Sequence, residues 1–97
     1  MRIKNARGDN GSGWLAKYKK YLGYPEDKVL ACCVFGCGKT ATDGAHVWKC
    51  DSDGTRSESD EKLYIVPMCH ENNLQYGKDF DTKADTKPVP VSELRNV

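Results

Sequence analysis

Apolar positions keep a helical spacing in one stretch of the chain and a strand-like spacing in the next. Trp14, Leu15, Tyr18, Tyr21 and Leu22 recur at the three-and-four spacing of a helix face, with Lys17, Lys19 and Lys20 on the other side and Gly23 placed to end the run. One short amphipathic helix is predicted there, its apolar stripe serving as a lid over a small core. After the Tyr24-Pro25 break, Val29-Leu30-Ala31-Cys32-Cys33-Val34 is short and apolar and leads into the tight Phe35-Gly36-Cys37-Gly38 turn, which predicts a strand entering a knuckle. Ala45-His46-Val47-Trp48 and Leu63-Tyr64-Ile65-Val66 are two further strands, separated by a polar, turn-rich stretch from Asp51 to Glu61, and together they predict a hairpin. Cys69 then opens a polar segment running to Gly77, long enough for about two helical turns. Val89, between Pro88 and Pro90, can add only an edge strand.

Length sharpens this picture. A chain of 97 residues suits one domain, and with 38% hydrophobic and 30% charged residues it has a thin core that calls for an additional staple. Residues 1–13, rich in Gly, Asn and basic side chains, are expected to be a flexible basic arm, and residues 14–97 a single domain. No apolar stretch follows the basic N-terminus as in a secretory signal, and no run approaches the length of a membrane span, so a cytoplasmic protein without a membrane partner is expected. In a reducing compartment the five cysteines are more often metal ligands than disulfide partners.

Zinc takes about four soft or borderline donors, and a pair on a tight turn supplies two of them at little entropic cost. Cys32 and Cys37 make such a pair around Gly36; Cys33 offers the same service one residue closer, and the spacing leaves both registers open. Cys69, where the second hairpin strand runs into the helix, is a natural third thiolate. Knuckle, hairpin, then ligand-bearing helix is the order of a treble clef. The expected fold is thus α+β, a small zinc-stabilised treble clef with an amphipathic helix in front and one structural zinc per chain. The fourth donor is open between His70, Asn72, Cys50 and His46. His70 is the best of these chemically, although it follows Cys69 by about 100° on an ideal helix and needs a distorted first turn.

The segments Cys32-Cys33-Val34-Phe35-Gly36-Cys37, Asp43-Gly44-Ala45-His46-Val47 and Tyr64-Ile65-Val66-Pro67-Met68-Cys69-His70-Glu71-Asn72-Asn73 resemble the HNH endonuclease family, and among its relatives the small HNH-like bacterial zinc proteins. The resemblance covers roughly residues 30–76. It implies that Cys32, Cys37 and Cys69 bind structural zinc and that His46 is the one catalytic candidate, matching the first histidine of the family's metal site. Val47 stands where the family has its water-activating histidine, Asn72 where it has its last structural ligand, and Asn73 where it has a further active-site histidine or asparagine. Valine neither accepts a proton nor binds a metal, and loss of a general base forfeits about two to four orders of magnitude in rate. The resemblance therefore implies a degenerate nuclease module; the alternative, an active metal-dependent HNH endonuclease, needs another group as base, for which Asp43, Asp51 and His70 are the nearest candidates.

Charge adds a candidate partner. The chain is nearly neutral, but residues 1–20 carry Arg2, Lys4, Arg7, Lys17, Lys19 and Lys20 against Asp9, a stretch able to touch the phosphates of nucleic acid. A protein partner is the alternative, as is a purely structural zinc-stapled accessory role. The acidic stretch with Asp51, Asp53, Glu58, Asp60 and Glu61 lacks the ligand spacing of a calcium loop and reads as a solvated loop.

Overall fold

The computed structural model describes residues 1–6, 12–51 and 62–97. Their elements run β1 (Arg2–Asn5), α1 (Ser12–Tyr21), β2 (Asp43–Cys50), β3 (Leu63–Met68), α2 (His70–Asn73), β4 (Asp79–Asp81), β5 (Val89–Pro90) and α3 (Val91–Leu94). The five strands form one antiparallel sheet in the order β4-β1-β2-β3-β5.

The predicted hairpin is present, with Ala45 opposite Val66, His46 opposite Ile65 and Val47 opposite Tyr64. Because strand side chains alternate between faces, this register sends Ala45, Val47, Tyr64, Val66 and Met68 one way and Gly44, His46 and Ile65 the other. The first set packs with Ile3, Phe80, Cys32, Cys33 and Cys69. On the opposite face Ile65 packs with Leu15 and Tyr18 of α1, Val89 of β5, and Val91 and Leu94 of α3.

The periodic helix forms as expected and stops at Gly23, whose φ of +78° only glycine adopts cheaply. Tyr24 N–H bonds back to Lys19 O and Gly23 N–H to Lys20 O, the closing pair of a Schellman cap. Its seating on β2 depends on Gly44, where a Cβ would lie 2.6 Å from Leu15 N and 2.7 Å from Trp14 C. Backbone approaching backbone that closely leaves room only for hydrogen.

Three expectations change. Residues 2–5, expected within a flexible arm, form an inner strand with Ile3 fully buried; Ile3 is the one apolar side chain of Arg2-Ile3-Lys4-Asn5, so the segment carries no periodic signal, and its order comes from ladders to β2 on one side and β4 on the other. Residues 7–11 of that arm lie outside the described residues, as do residues 52–61 of the acidic loop. Val29–Val34 is not a strand: Ala31 and Val34 make only isolated bridges, to Thr40 and Thr82, and Val29 is exposed. Its backbone bonds go instead to scattered partners, with Cys32 N–H donating to Lys39 O and Cys33 N–H to Pro67 O. The helix after Cys69 is one turn rather than two, because Asn5 Nδ2 takes the carbonyls of Asn73 at 2.6 Å and Gln75 at 3.2 Å and bends the chain into a turn that ends at Gly77, φ +76°. The proline-flanked edge strand is present as β5, and α3, which was not foreseen, follows it directly.

Candidate metal centre

The knuckle is built from the turn that Gly36 permits. Its φ of +81° reverses the chain between Val34 and Cys37, whose N–H bonds to Val34 O at 3.0 Å, and this brings Cys37 back toward Cys32. Lys83 Nζ holds the Cys37 carbonyl at 2.9 Å and Lys83 N–H holds the Cys33 carbonyl, so the segment after β4 straps the knuckle down. Cys69 arrives from the other direction, as the N-cap residue of α2 in extended conformation at the end of β3.

These elements bring the sulfurs of Cys32, Cys37 and Cys69 within 4.8 Å of one another, with Cys37 and Cys69 4.0 Å apart. Tetrahedral zinc with Zn–S bonds of about 2.3 Å sets its sulfurs about 3.8 Å apart, so the triad has the right size without rearrangement of the backbone. Of the two adjacent cysteines it is Cys32 whose sulfur lies with the other two, while Cys33 is packed in the core with its thiol pushed up to about 12 by desolvation. The backbone N–H of Lys39 holds the Cys37 thiol below its ordinary value, whereas burial pushes Cys69 up to about 11. Three thiolates this close repel one another, and a divalent cation removes that cost. Three cysteines so placed could hold a metal ion.

The four candidates for the last donor fall in different places. His70 turns its Nδ1 to Asp43 Oδ2 at 2.8 Å and does not join the triad, for the reason its position on the helix suggests: it projects about 100° from Cys69. Cys50 ends β2 next to Arg2, seven residues and roughly 23 Å of strand from Asp43. His46 is 1% exposed on the opposite face of the sheet, with its ring edge-on to Trp14 at 5.0 Å. Asn72 is the one that lies against the cysteines, its Nδ2 donating to Cys32 Sγ at 3.8 Å while its Oδ1 accepts from Gln75.

A second polar cluster sits beside the triad. Asp43, 3% exposed, accepts from His70 Nδ1, from Asn73 Nδ2 at 2.8 Å and from Thr42 Oγ1 at 3.0 Å. Burial alone would raise its pKa, but the three hydrogen bonds prevail and hold the carboxyl below its ordinary value. His46, three positions along β2, points through the sheet away from this cluster. Val47 lies fully buried among Ile3, Tyr64 and Phe80. Neither Asn5 nor Asp43 stood out in the sequence as a residue that positions α2; a buried polar residue at a strand end was the only signal.

The basic stretch is also redistributed. Arg2 is taken up by Asp79 and Asp81 across β4, at 2.8 Å to each, and Lys17 lies over the Trp14 ring. No helix among the described residues is long and apolar enough to cross a membrane. Comparison of the chain with protein-family models, with curated proteins and with solved structures gives no match in any of the three.

Proposed function

We propose that the protein is a zinc-stapled treble-clef module of HNH-like descent that binds a partner and does not cut nucleic acid. The observation that carries this reading is the convergence of Cys32, Cys37 and Cys69 from a knuckle and a helix start that flank a hairpin, in treble-clef order. A structural site needs only to be held, and the surrounding backbone bonds hold it. A hydrolytic site needs more: a base within reach of a water that a metal also touches. His46 and His70 lie on opposite faces of the sheet, and Val47 offers no proton acceptor. Among the described residues a pair with acid–base character is His70 with Asp43, whose hydrogen bond orients the imidazole.

Nucleic acid is the favoured partner, through Lys17, Lys19 and Lys20 on the outer side of α1. With Arg2 committed to its two aspartates, these lysines can neutralise only a few phosphates. Affinity should then be modest and fall with salt by about 0.9 logarithmic units per phosphate neutralised.

The test combines metal analysis with cleavage. Native protein is expected to carry about one zinc per chain, and serine at Cys32, Cys37 or Cys69 to remove it, with Cys33→Ser and Cys50→Ser retaining it. Plasmid and single-stranded DNA should stay intact with magnesium, manganese or nickel. Cutting by the wild type that disappears in His70→Ala or His46→Ala would overturn the binding-module reading and name its base.

A further inference from the structure

Two members of the cysteine triad, Cys37 and Cys69, line a groove of about 360 Å³ whose other walls include Phe35, Lys39, Asn72, Lys78 and Phe80. Among the described residues, which include every cysteine and histidine of the chain, no further cysteine, histidine or carboxylate joins the triad, and each remaining cysteine and histidine is accounted for elsewhere. Cys33 is sealed in the core, Cys50 stands at the far end of β2, His46 lies beneath Trp14 and His70 is bonded to Asp43. Glu71, on the groove wall, is paired with Lys39. Asn72 occupies the place of a fourth ligand, yet it presents its amide nitrogen to Cys32 and commits its oxygen to Gln75.

From this arrangement we infer that the metal's fourth ligand comes from outside the chain, and that the site captures an external thiolate through the groove. The inference rests on the triad holding a metal, as proposed above. Three thiolates on a divalent cation leave the centre one donor short of the usual four. A soft sulfur donor matches the three already there. The groove walls carry Lys39 and Lys78 against Glu71, so one positive charge is left over for the incoming thiolate, an advantage that a neutral imidazole does not share. Phe35, 73% exposed at the rim, supplies apolar surface against which the remainder of the incoming molecule can rest. On capture the thiol gives its proton to solvent and its sulfur replaces a water on the metal, so no oxidant or reductant is consumed. The source is either a small thiol or a cysteine of a partner protein.

Cobalt(II) in place of zinc reports the number of sulfur ligands by its thiolate charge-transfer absorption. The wild-type cobalt protein is titrated with 2-mercaptoethanol and, separately, with a single-cysteine peptide, with imidazole as the competing donor. Expected is a saturable rise of about one third in charge-transfer intensity as a fourth sulfur joins three. That rise should already be present in Asn72→Cys, which then ignores added thiol. Lys39→Gln/Lys78→Gln should weaken thiol binding several-fold with cobalt uptake intact, a readout that does not depend on the Asn72 variant folding. A response to the small thiol or to the peptide identifies the source, and the tighter of the two prevails if both respond. Charge-transfer bands that neither thiol alters, or that imidazole alters more readily, overturn the inference while leaving the metal site standing. Absence of any charge-transfer band in the wild type removes the metal site itself.

Discussion

The two faces of the sheet are closed by different means. On one, α1, β5 and α3 cover Ile65 with Leu15, Tyr18, Val89, Val91 and Leu94, and closure is a matter of apolar area. On the other, the covering layer is a knuckle with only isolated bridges and a single helical turn, and much of what it buries is chemically special: Cys32, Cys33 and Cys69, with Asn5, Asp43 and Asn73 among the buried polar groups. A helix with a periodic apolar stripe can stay on a sheet by burial alone. Irregular chain cannot, because it contributes little area per residue and must order more backbone for it. The knuckle face is therefore held by point attachments, to which a metal on the cysteine triad would add the largest.

Metal removal should separate the two faces most sharply. Structural zinc in small domains contributes on the order of 10 kcal/mol, so a strong chelator is expected to release the knuckle and α2, residues 30–42 and 69–76, from a sheet whose α1 face stays closed. Loss of amide-proton protection at Cys32, Cys33 and Asn73 on chelation would show it; native chemical-shift dispersion after complete metal removal would mean that apolar contact closes both faces. Leu94→Ala attacks the other side. Leu94 is fully buried, and its truncation should cost about 2–5 kcal/mol in denaturant unfolding with zinc stoichiometry unchanged. A parallel loss of zinc would show that the faces do not act separately.

Gly44→Ala comes next. The added methyl would lie within 3 Å of the backbone of Trp14 and Leu15, atoms that cannot rotate away, so α1 must move bodily. A cost of about 1–3 kcal/mol is expected, read as a lowered melting temperature together with changed Trp14 fluorescence, since that ring rests on His46. Melting unchanged by the methyl would place α1 further from β2.

What could be read from the sequence divides along the same line. The α1 face was legible because its signal is periodicity: Trp14, Leu15, Tyr18 and Leu22 fall on one stripe and Gly23 ends it, while Ile65 alternates with its strand neighbours. On the knuckle face only the cysteines were legible, through spacing and chemistry, and the elements around them were not. Val29–Val34 looks like a strand because it is apolar, but its cysteines serve the triad and the core separately, and no neighbouring strand lies along it. β1 was hidden because a four-residue inner strand needs only Ile3 to bury, its ordering coming from backbone bonds to residues more than forty positions away. His46 was placed in a site by motif spacing, yet which face of a strand a residue occupies follows from register, and the register came from the hairpin.

The smallest effect expected is also the one that separates the polar attachments of the knuckle face from its metal. Asp43 carries its negative charge at the end of β2 and receives hydrogen bonds from His70 and Asn73, so it ties α2 to the sheet independently of the sulfurs. Desolvation opposes that charge, but the donors outweigh it and the folded-state pKa lies below the ordinary carboxylate value. The sign follows from linkage: the stabilisation is fully present above the unfolded-state pKa of about 4 and is lost as pH falls through the lower folded value. Asp43→Asn removes the charge and should cost about 1 kcal/mol at neutral pH. Measured by thermal melts at fixed zinc, the gap between wild type and variant should stay constant down to about pH 5 and narrow below about pH 4. Thiolate protonation in acid weakens zinc binding in both proteins alike and so cancels from the difference. A gap that widens in acid would mean that Asp43 is held in its neutral form and that its charge does not tie α2 to the sheet.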